Sequence, residues 1–275
     1  MDGVSKAALA TAALTNGVAS ATIATGNSSV IAIYSGDANF LSSSSNGFVE
    51  ATIGNGASFT SSSFSPGEIV TLKGSNLSSG TVSATFPLQT SLGDVSVAVT
   101  DSTGHTSLAL LYYVSPTQVN FVMPADTAPG PATVSISNNL SVLFSLAITV
   151  TADAPGLFTA NATGQGMLEG VLLDVPASGA SSATPITGAI ALAAGHTYYL
   201  ELFGTGLDNA KASSVSVTIN GQSVGVLFAG PQQQYPGLDQ INVGPLPASL
   251  VGAGTVPVVV TVNGQSSSPV TLSFQ

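Results

Sequence analysis

The chain has no cysteine and no tryptophan, only three lysine and arginine residues together, and two histidines. Without cysteine there are no disulfides, no thiolate metal sites and no cysteine nucleophile. Three basic residues against thirteen acidic ones leave a net charge of −10. Such a chain repels phosphates on the whole, so nucleic acid and anionic membrane surfaces are poor partners on electrostatic grounds. Aromatic residues make up 6% of the sequence, so the broad rings that sugar-binding sandwiches expose are scarce. No apolar run approaches the roughly 20 residues that span a bilayer, and no stretch holds a helical period.

What remains is β-forming and turn-forming. With 275 residues and 44% hydrophobic content, the chain is long enough for about two domains of ~100–150 residues with buried cores. Thirty glycines and fifteen prolines among many Ser, Thr, Val and Ala residues predict short strands broken by turns, the pattern of sandwiches and barrels. Only 6% of residues are charged, so the surface is wetted mainly by hydroxyls, amides and backbone, and repels its neighbours weakly.

The strongest internal signal is a repeat. Gly74-Ser75-Asn76-Leu77, Val95-Ser96-Val97 and Gln118-Val119-Asn120-Phe121 return as Gly204-Thr205-Gly206-Leu207, Val215-Ser216-Val217 and Gln240-Ile241-Asn242-Val243. The copies agree where a strand would point inward: Val70 and Leu72 match Leu200 and Leu202. They differ where it would point outward: Thr71 matches Glu201, and Lys73 matches Phe203. Side chains alternate faces along a strand, so this predicts one buried and one free face. Val95, Val97 and Val99 align with Val215, Val217 and Ile219, Val134 and Ile136 with Val260 and Val262, and Leu146, Ile148 and Val150 with Val270, Leu272 and Phe274. The fold class expected is all-β: tandem Ig-like (IPT/TIG-like) antiparallel β-sandwiches.

Ala32-Ile33-Tyr34-Ser35-Gly36-Asp37-Ala38-Asn39-Phe40-Leu41 resembles the closing strands of a common bacterial Ig-like repeat of surface proteins. Asn16-Gly17 adds a hairpin signal. Residues 1–48 are therefore expected to be a partial Ig-like domain whose front half precedes Met1. Lys6, the apolar run Ala7 to Leu14 and Ala19-Ser20-Ala21 form only a weak leader-like pattern. Phe64-Ser65-Pro66-Gly67-Glu68-Ile69-Val70-Thr71-Leu72-Lys73-Gly74 resembles the opening of IPT/TIG-type Ig folds, which places a first sandwich at 49–151. A second follows at 152–275, with a long irregular insertion near 159–195 holding two short strands. Tyr113-Val114-Ser115-Pro116-Thr117-Gln118-Val119-Asn120, Ala154-Pro155-Gly156-Leu157-Phe158-Thr159 and Tyr235-Pro236-Gly237-Leu238-Asp239-Gln240-Ile241-Asn242-Val243 are similar to the C-terminal module of large secreted acidobacterial proteins, the Solibacter-type module. That resemblance implies a surface or secreted accessory module with no activity to carry over.

No constellation for chemistry stands out. His105 and His196 both sit in Gly-His-Thr at expected turns. Serine is abundant enough to complete a Ser-His-Asp set by count, but no serine sits in a nucleophile elbow. Asp94, Asp101, Asp126, Asp208 and Asp239 read as turn formers, and Glu201 as an outward residue. Asp37 beside Asn39 is the best single calcium candidate, yet too few acids converge there for the six to eight oxygens that ion takes, and a structural turn is the better reading. No cofactor is expected. Tyr112-Tyr113 and Tyr198-Tyr199 place one ring on each strand face, so one of each pair belongs to a core. The candidate partner-binding residues are Gln232, Gln233, Gln234 and Tyr235, in the loop before Pro236-Gly237.

The function expected is that of a non-catalytic structural or adhesive C-terminal module of a larger bacterial protein, secreted or at the cell surface, its export signal lying in a preceding region. The alternatives are a glycan-binding accessory module and the tail of an enzyme encoded upstream. The expected partners are proteins or glycans at the cell surface, with self-association through the incomplete N-terminal piece.

Overall fold

The computed structural model describes residues 10–15, 17–19, 32–44, 51–60, 62–139, 141–207 and 210–275. Two compact units divide the chain, Met1–Glu50 and Ala51–Gln275.

In the first unit Ile33–Tyr34 pairs antiparallel with Ser43–Ser44. Asp37 sets the turn between them: its carboxylate accepts the amides of Asn39 and Phe40 and the Tyr34 hydroxyl at 2.6 Å. Its three hydrogen bonds all serve the turn, as the local reading of this aspartate expected. Thr15 and Val18 exchange backbone bonds, the closure expected around Asn16-Gly17, although Asn16 itself lies outside the described residues. So do Lys6, the Ala7-Ala8-Leu9 part of the apolar run, Ser20 and Ala21 of the leader-like pattern, and Asp208.

The second unit holds four large sheets in two sandwiches. In the first, one sheet runs Thr52–Asn55, Ile69–Lys73, Gln118–Val122, Leu110–Val114, Val82–Ser83, and the facing sheet runs Ser141–Val150, Gly130–Asn138, Val95–Thr100, Ser91–Leu92, with Thr106–Leu108 also on Val95–Thr100. In the other, the sheets are Ser182–Pro185, Gly170–Pro176, His196–Thr205, Asp239–Val243, Val226–Pro231, and Gln222–Val224, Val215–Ile219, Gly254–Val262, Gln265–Ser266, with Val270–Phe274 also on Gly254–Val262. Each sandwich closes over its own core. One gathers Val70, Leu72, Val97, Leu111, Phe121 and Ile136; the other gathers Leu200, Leu202, Val217, Ile241, Val260 and Leu272. Every one of these is an inward position of an alternating strand, worth about 1.5–3 kcal/mol when fully buried.

Registers match between the sandwiches. Leu72 faces Val119 and Val70 faces Phe121, as Leu202 faces Ile241 and Leu200 faces Val243. Asn76 and Gly206, third in their motifs, both take positive φ, 55° and 88°, a region that Asn tolerates and Gly enters freely. One alignment needs correction by two residues. Val97 faces Ile136 whereas Val217 faces Val260, so Val134 and Ile136 correspond to Val258 and Val260. A shift of two preserves the buried face, which is why alternation alone did not reveal it.

Three more expectations change. The stretch 159–195 is less irregular than its composition suggests, because Gly170–Pro176 is an interior strand between Ser182–Pro185 and His196–Thr205. Thr71, taken as a free-face residue, is buried. Neither ring of Tyr112-Tyr113 is buried in a core, whereas Tyr198 is buried; Tyr112 is the extra residue of a bulge, skipped where Asn120 pairs with Tyr113 and Phe121 with Leu111, which breaks the alternation of the first pair.

Candidate functional site

Phe64-Ser65-Pro66-Gly67 carries the chain into the Ile69–Lys73 strand, and the residue that enters it is Glu68, fully buried. Glu68 shares the parity of Val70 and Leu72, so the strand aims its carboxyl inward. Oε2 accepts the Ser65 amide at 2.7 Å, while Oε1 has no hydrogen-bond partner. Burial pushes the Glu68 carboxyl up to about 8, with the charge of Asp239 acting in the same direction. Loss of hydration disfavours the anion, so Glu68 stays neutral up to about pH 8, where an ordinary glutamate is ionised.

Around it the two sandwiches meet. The Ile69 amide donates to Thr205 Oγ1 at 2.8 Å, and Thr205 Oγ1 donates to the Gly237 carbonyl at 2.6 Å. Asn55, buried, donates to the Ala154 carbonyl and accepts the amides of Ala57 and Ser58. Asn263 donates to Asp153 Oδ2 at 2.9 Å. Asp239, which the sequence suggested as a turn former, is buried and accepts the Leu207 amide at 3.0 Å. Glycines let the surfaces close: a Cβ on Gly237 would stand 2.7 Å from the Gly67 carbonyl oxygen, and one on Gly156 would strike the Asn55 side chain. Sequence reasoning missed Glu68, Asn55 and Thr205. Only Glu68 carried a signal, a carboxylate at an inward position of an alternating strand.

The glutamine loop lies beside this seam. Gln232 and Leu238 close it through backbone, Gln234 donates its amide to Gln232 Oε1, and Gln233 takes φ 73°. Tyr235 is 40% exposed and meets Phe86, 51% exposed, edge-on at 5.4 Å; Phe86 meets Tyr112 at 6.1 Å. The Tyr112 hydroxyl donates to the Pro236 carbonyl, and burial, with Tyr235 nearby, pushes that phenol up to about 12. Three rings from two sandwiches thus form one exposed aromatic cluster, of which the sequence indicated only Tyr235.

The histidines sit apart. His196 pairs with Asp174 at 2.7 Å and stacks on Tyr198. His105, Ser107 and Asp126 do come together, but the geometry is wrong for a nucleophilic triad. Ser107 Oγ and Asp126 Oδ2 both contact His105 Nε2, at 3.1 Å each, and Ser107 donates to Asp126 at 2.8 Å. A relay needs the serine and the aspartate on opposite ring nitrogens. Asp94 and Asp101 are anchors of turns. Asp94 accepts from Ser78 and Asn138, Asp101 from Thr103, His105 and Ala128, and these bonds hold both carboxyls well below the usual range. Among the described residues no three of His, Cys, Asp and Glu gather to hold a metal, and no helix is long and apolar enough to cross a membrane.

Residues 55–152 match the IPT/TIG domain family, a span that covers the first sandwich from the Asn55 turn to just past the Ser141–Val150 strand. For that span the match is consistent with an Ig-like module, a fold that is typically non-catalytic. No curated protein matches the chain.

Proposed function

We propose that this chain is a non-catalytic structural or adhesive module of a larger bacterial surface or secreted protein, built from two duplicated sandwiches at 49–151 and 152–275. The seam is the observation that carries this reading. Buried polar groups and glycine contacts join two sandwiches into one body, a rigid spacer of the sort a stalk requires, while the outward positions of Val95–Thr100 and Gly130–Asn138 carry mostly hydroxyls and alanine, as in the Ser135 to Ser145 pair. The likeness to the Solibacter-type module supports the secreted setting. Fractionation of cells producing the native full-length protein is expected to recover it from the medium or the cell envelope. Recovery from the cytoplasm would sink the proposal.

A second reading, a glycan-binding accessory module, is favoured by the aromatic cluster of Phe86, Tyr112 and Tyr235 beside Gln232 to Gln234. Exposed rings pack against the apolar faces of sugars, and neighbouring amides supply directional bonds. Binding on a glycan array that disappears with Tyr235→Ala supports it; an array without hits, or hits indifferent to the substitution, removes it.

A further inference from the structure

We propose that a second cleft, centred on Lys73 and distinct from the Tyr235 cluster, binds a carboxylated sugar, a uronic acid unit of a polysaccharide. The cleft has a volume of about 310 Å³, at the lower end of ligand-sized clefts, roughly 300–1,000 Å³. Its floor is the outer face of two interior strands, where Lys73 lies opposite Gln118 and Thr71 opposite Asn120. One wall is Phe59 of the first sandwich and the other is Phe158 of the second.

Several independent features give this cleft the character of a built site. Phe59 has φ 58°, a left-handed conformation that L-residues rarely adopt. The surroundings impose it: the Phe59 amide bonds to the Asn55 carbonyl, Asn55 Oδ1 holds the Ala57 and Ser58 amides, and a Cβ on Gly54 would stand 2.8 Å from the Phe59 carbonyl oxygen. Strain of this kind persists where the fold over-determines it and collects at ligand sites. Here it presents the ring beneath Lys73, whose Nζ stands 4.5 Å from the ring centroid. The ring fixes the ammonium through its π face. Among the described residues no carboxylate pairs with Lys73, although acids outnumber bases thirteen to three in the chain.

The polar partners are also unspent. Gln118 Nε2 donates to Asn120 Oδ1 at 2.8 Å, which leaves the Gln118 amide oxygen and the Asn120 amino group in the cleft lining as an acceptor and a donor for hydroxyls. The same amide pair recurs as Gln240 and Asn242, but there it faces Phe203 and Glu201 and has no cation. The copies therefore diverge at the outward positions that would meet a ligand. An acidic peptide is the poorer fit, because extended peptides bind by adding backbone bonds to a sheet edge, whereas these two strands are interior and paired on both sides. Side-chain amides, a fixed ammonium and aromatic walls suit a ring bearing hydroxyls and one carboxylate.

The test is calorimetric titration of the whole 275-residue chain with an oligogalacturonate trimer, its methyl ester, the neutral galactose trimer and a glutamate-rich peptide. The expected result is saturable binding of the oligogalacturonate, weakened by salt, and about tenfold or more weaker binding of the ester and the neutral sugar, in line with the loss of a charged hydrogen-bond partner. Lys73→Met and Asn120→Ala are each expected to reduce binding by a similar factor while their melting temperatures stay near that of the parent chain. Lys73 is exposed, so its replacement does not disturb the core; if Asn120→Ala alone melts early, the Lys73 variant decides. No binding of the oligogalacturonate, binding unchanged by Lys73→Met, or equal affinity for the peptide would overturn the proposal. Binding abolished by Tyr235→Ala and indifferent to Lys73→Met would also overturn it, and would support the aromatic cluster instead.

Discussion

Raising the pH from about 4.5 to 8 is expected to destabilise the Ala51–Gln275 unit, and Glu68→Gln to abolish most of that loss. The folded-state carboxyl is pushed up from 4.5 to about 8. A group raised in this way contributes its full stability below the unfolded value and loses it as pH climbs through the folded one. The span is about 3.5 pH units, and at about 1.4 kcal/mol per unit it gives on the order of 4–5 kcal/mol. On the acid side the sign reverses. Asp94, Asp101 and Asp126 are held below their ordinary values by hydrogen bonds from Ser78, Thr103 and Ser107 respectively, so their contribution disappears as pH falls below about 4. Urea unfolding as a function of pH is therefore expected to show greatest stability near pH 4–5. Glutamine mimics the neutral acid, so Glu68→Gln is expected to match the parent chain near pH 5 and exceed it near pH 8.5. Parallel pH profiles for the two proteins would rule this out.

Gly156→Ala is expected to open the seam. A methyl group there meets the Asn55 side chain, whose carboxamide carbon would lie 2.8 Å away, and Asn55 cannot retreat without releasing the Ala154 carbonyl and the Ala57 and Ser58 amides. Abandoning buried bonds of this kind costs about 1–3 kcal/mol each. Gly237→Ala adds a left-handed backbone, φ 80°, to its clash with Gly67, for roughly 2–4 kcal/mol. Calorimetry of the double variant is expected to resolve two transitions where the parent chain gives one. The pH response should also flatten, because an opened seam readmits water to Glu68. Gly188→Ala, with nothing within 4 Å of its Cβ and no positive φ, is the control and is expected to leave the melt unchanged. A single, unshifted transition for the double variant would refute the coupling.

Much of the fold was legible because burial follows parity. Val70, Leu72, Val97, Leu200 and Leu202 declare their faces by alternation, and sequence reading needs nothing more. Glu68 obeyed the same parity and was overlooked because a charged residue after Pro-Gly reads as turn chemistry. Thr71 was misassigned for a different reason: its face is free within one sandwich and is covered only in the assembled unit, which local sequence cannot express. The seam and the Lys73 cleft are likewise products of two surfaces meeting. Phe59 and Phe158 are 99 positions apart, and neither stands in a pattern that points to the other. Tyr235 was visible as an exposed loop ring, but Phe86 joins it only through the way the glutamine loop rests against Tyr112.

Each sandwich is also fastened by a parallel bridge, Phe64 beside Val150 and Ile190 beside Phe274. Two backbone bonds secure each: Phe64 to Thr149 and Thr151, and Ile190 to Ser273 and Gln275. Because the bridged segments run the same way, tension entering ahead of the first and leaving after the second slides them past one another. Both bonds of a clamp then carry the load together, instead of parting in turn as they would in a peeled antiparallel edge. Val150 and Phe274 close their sandwiches, so a tether made this way resists stretching where force leaves each one.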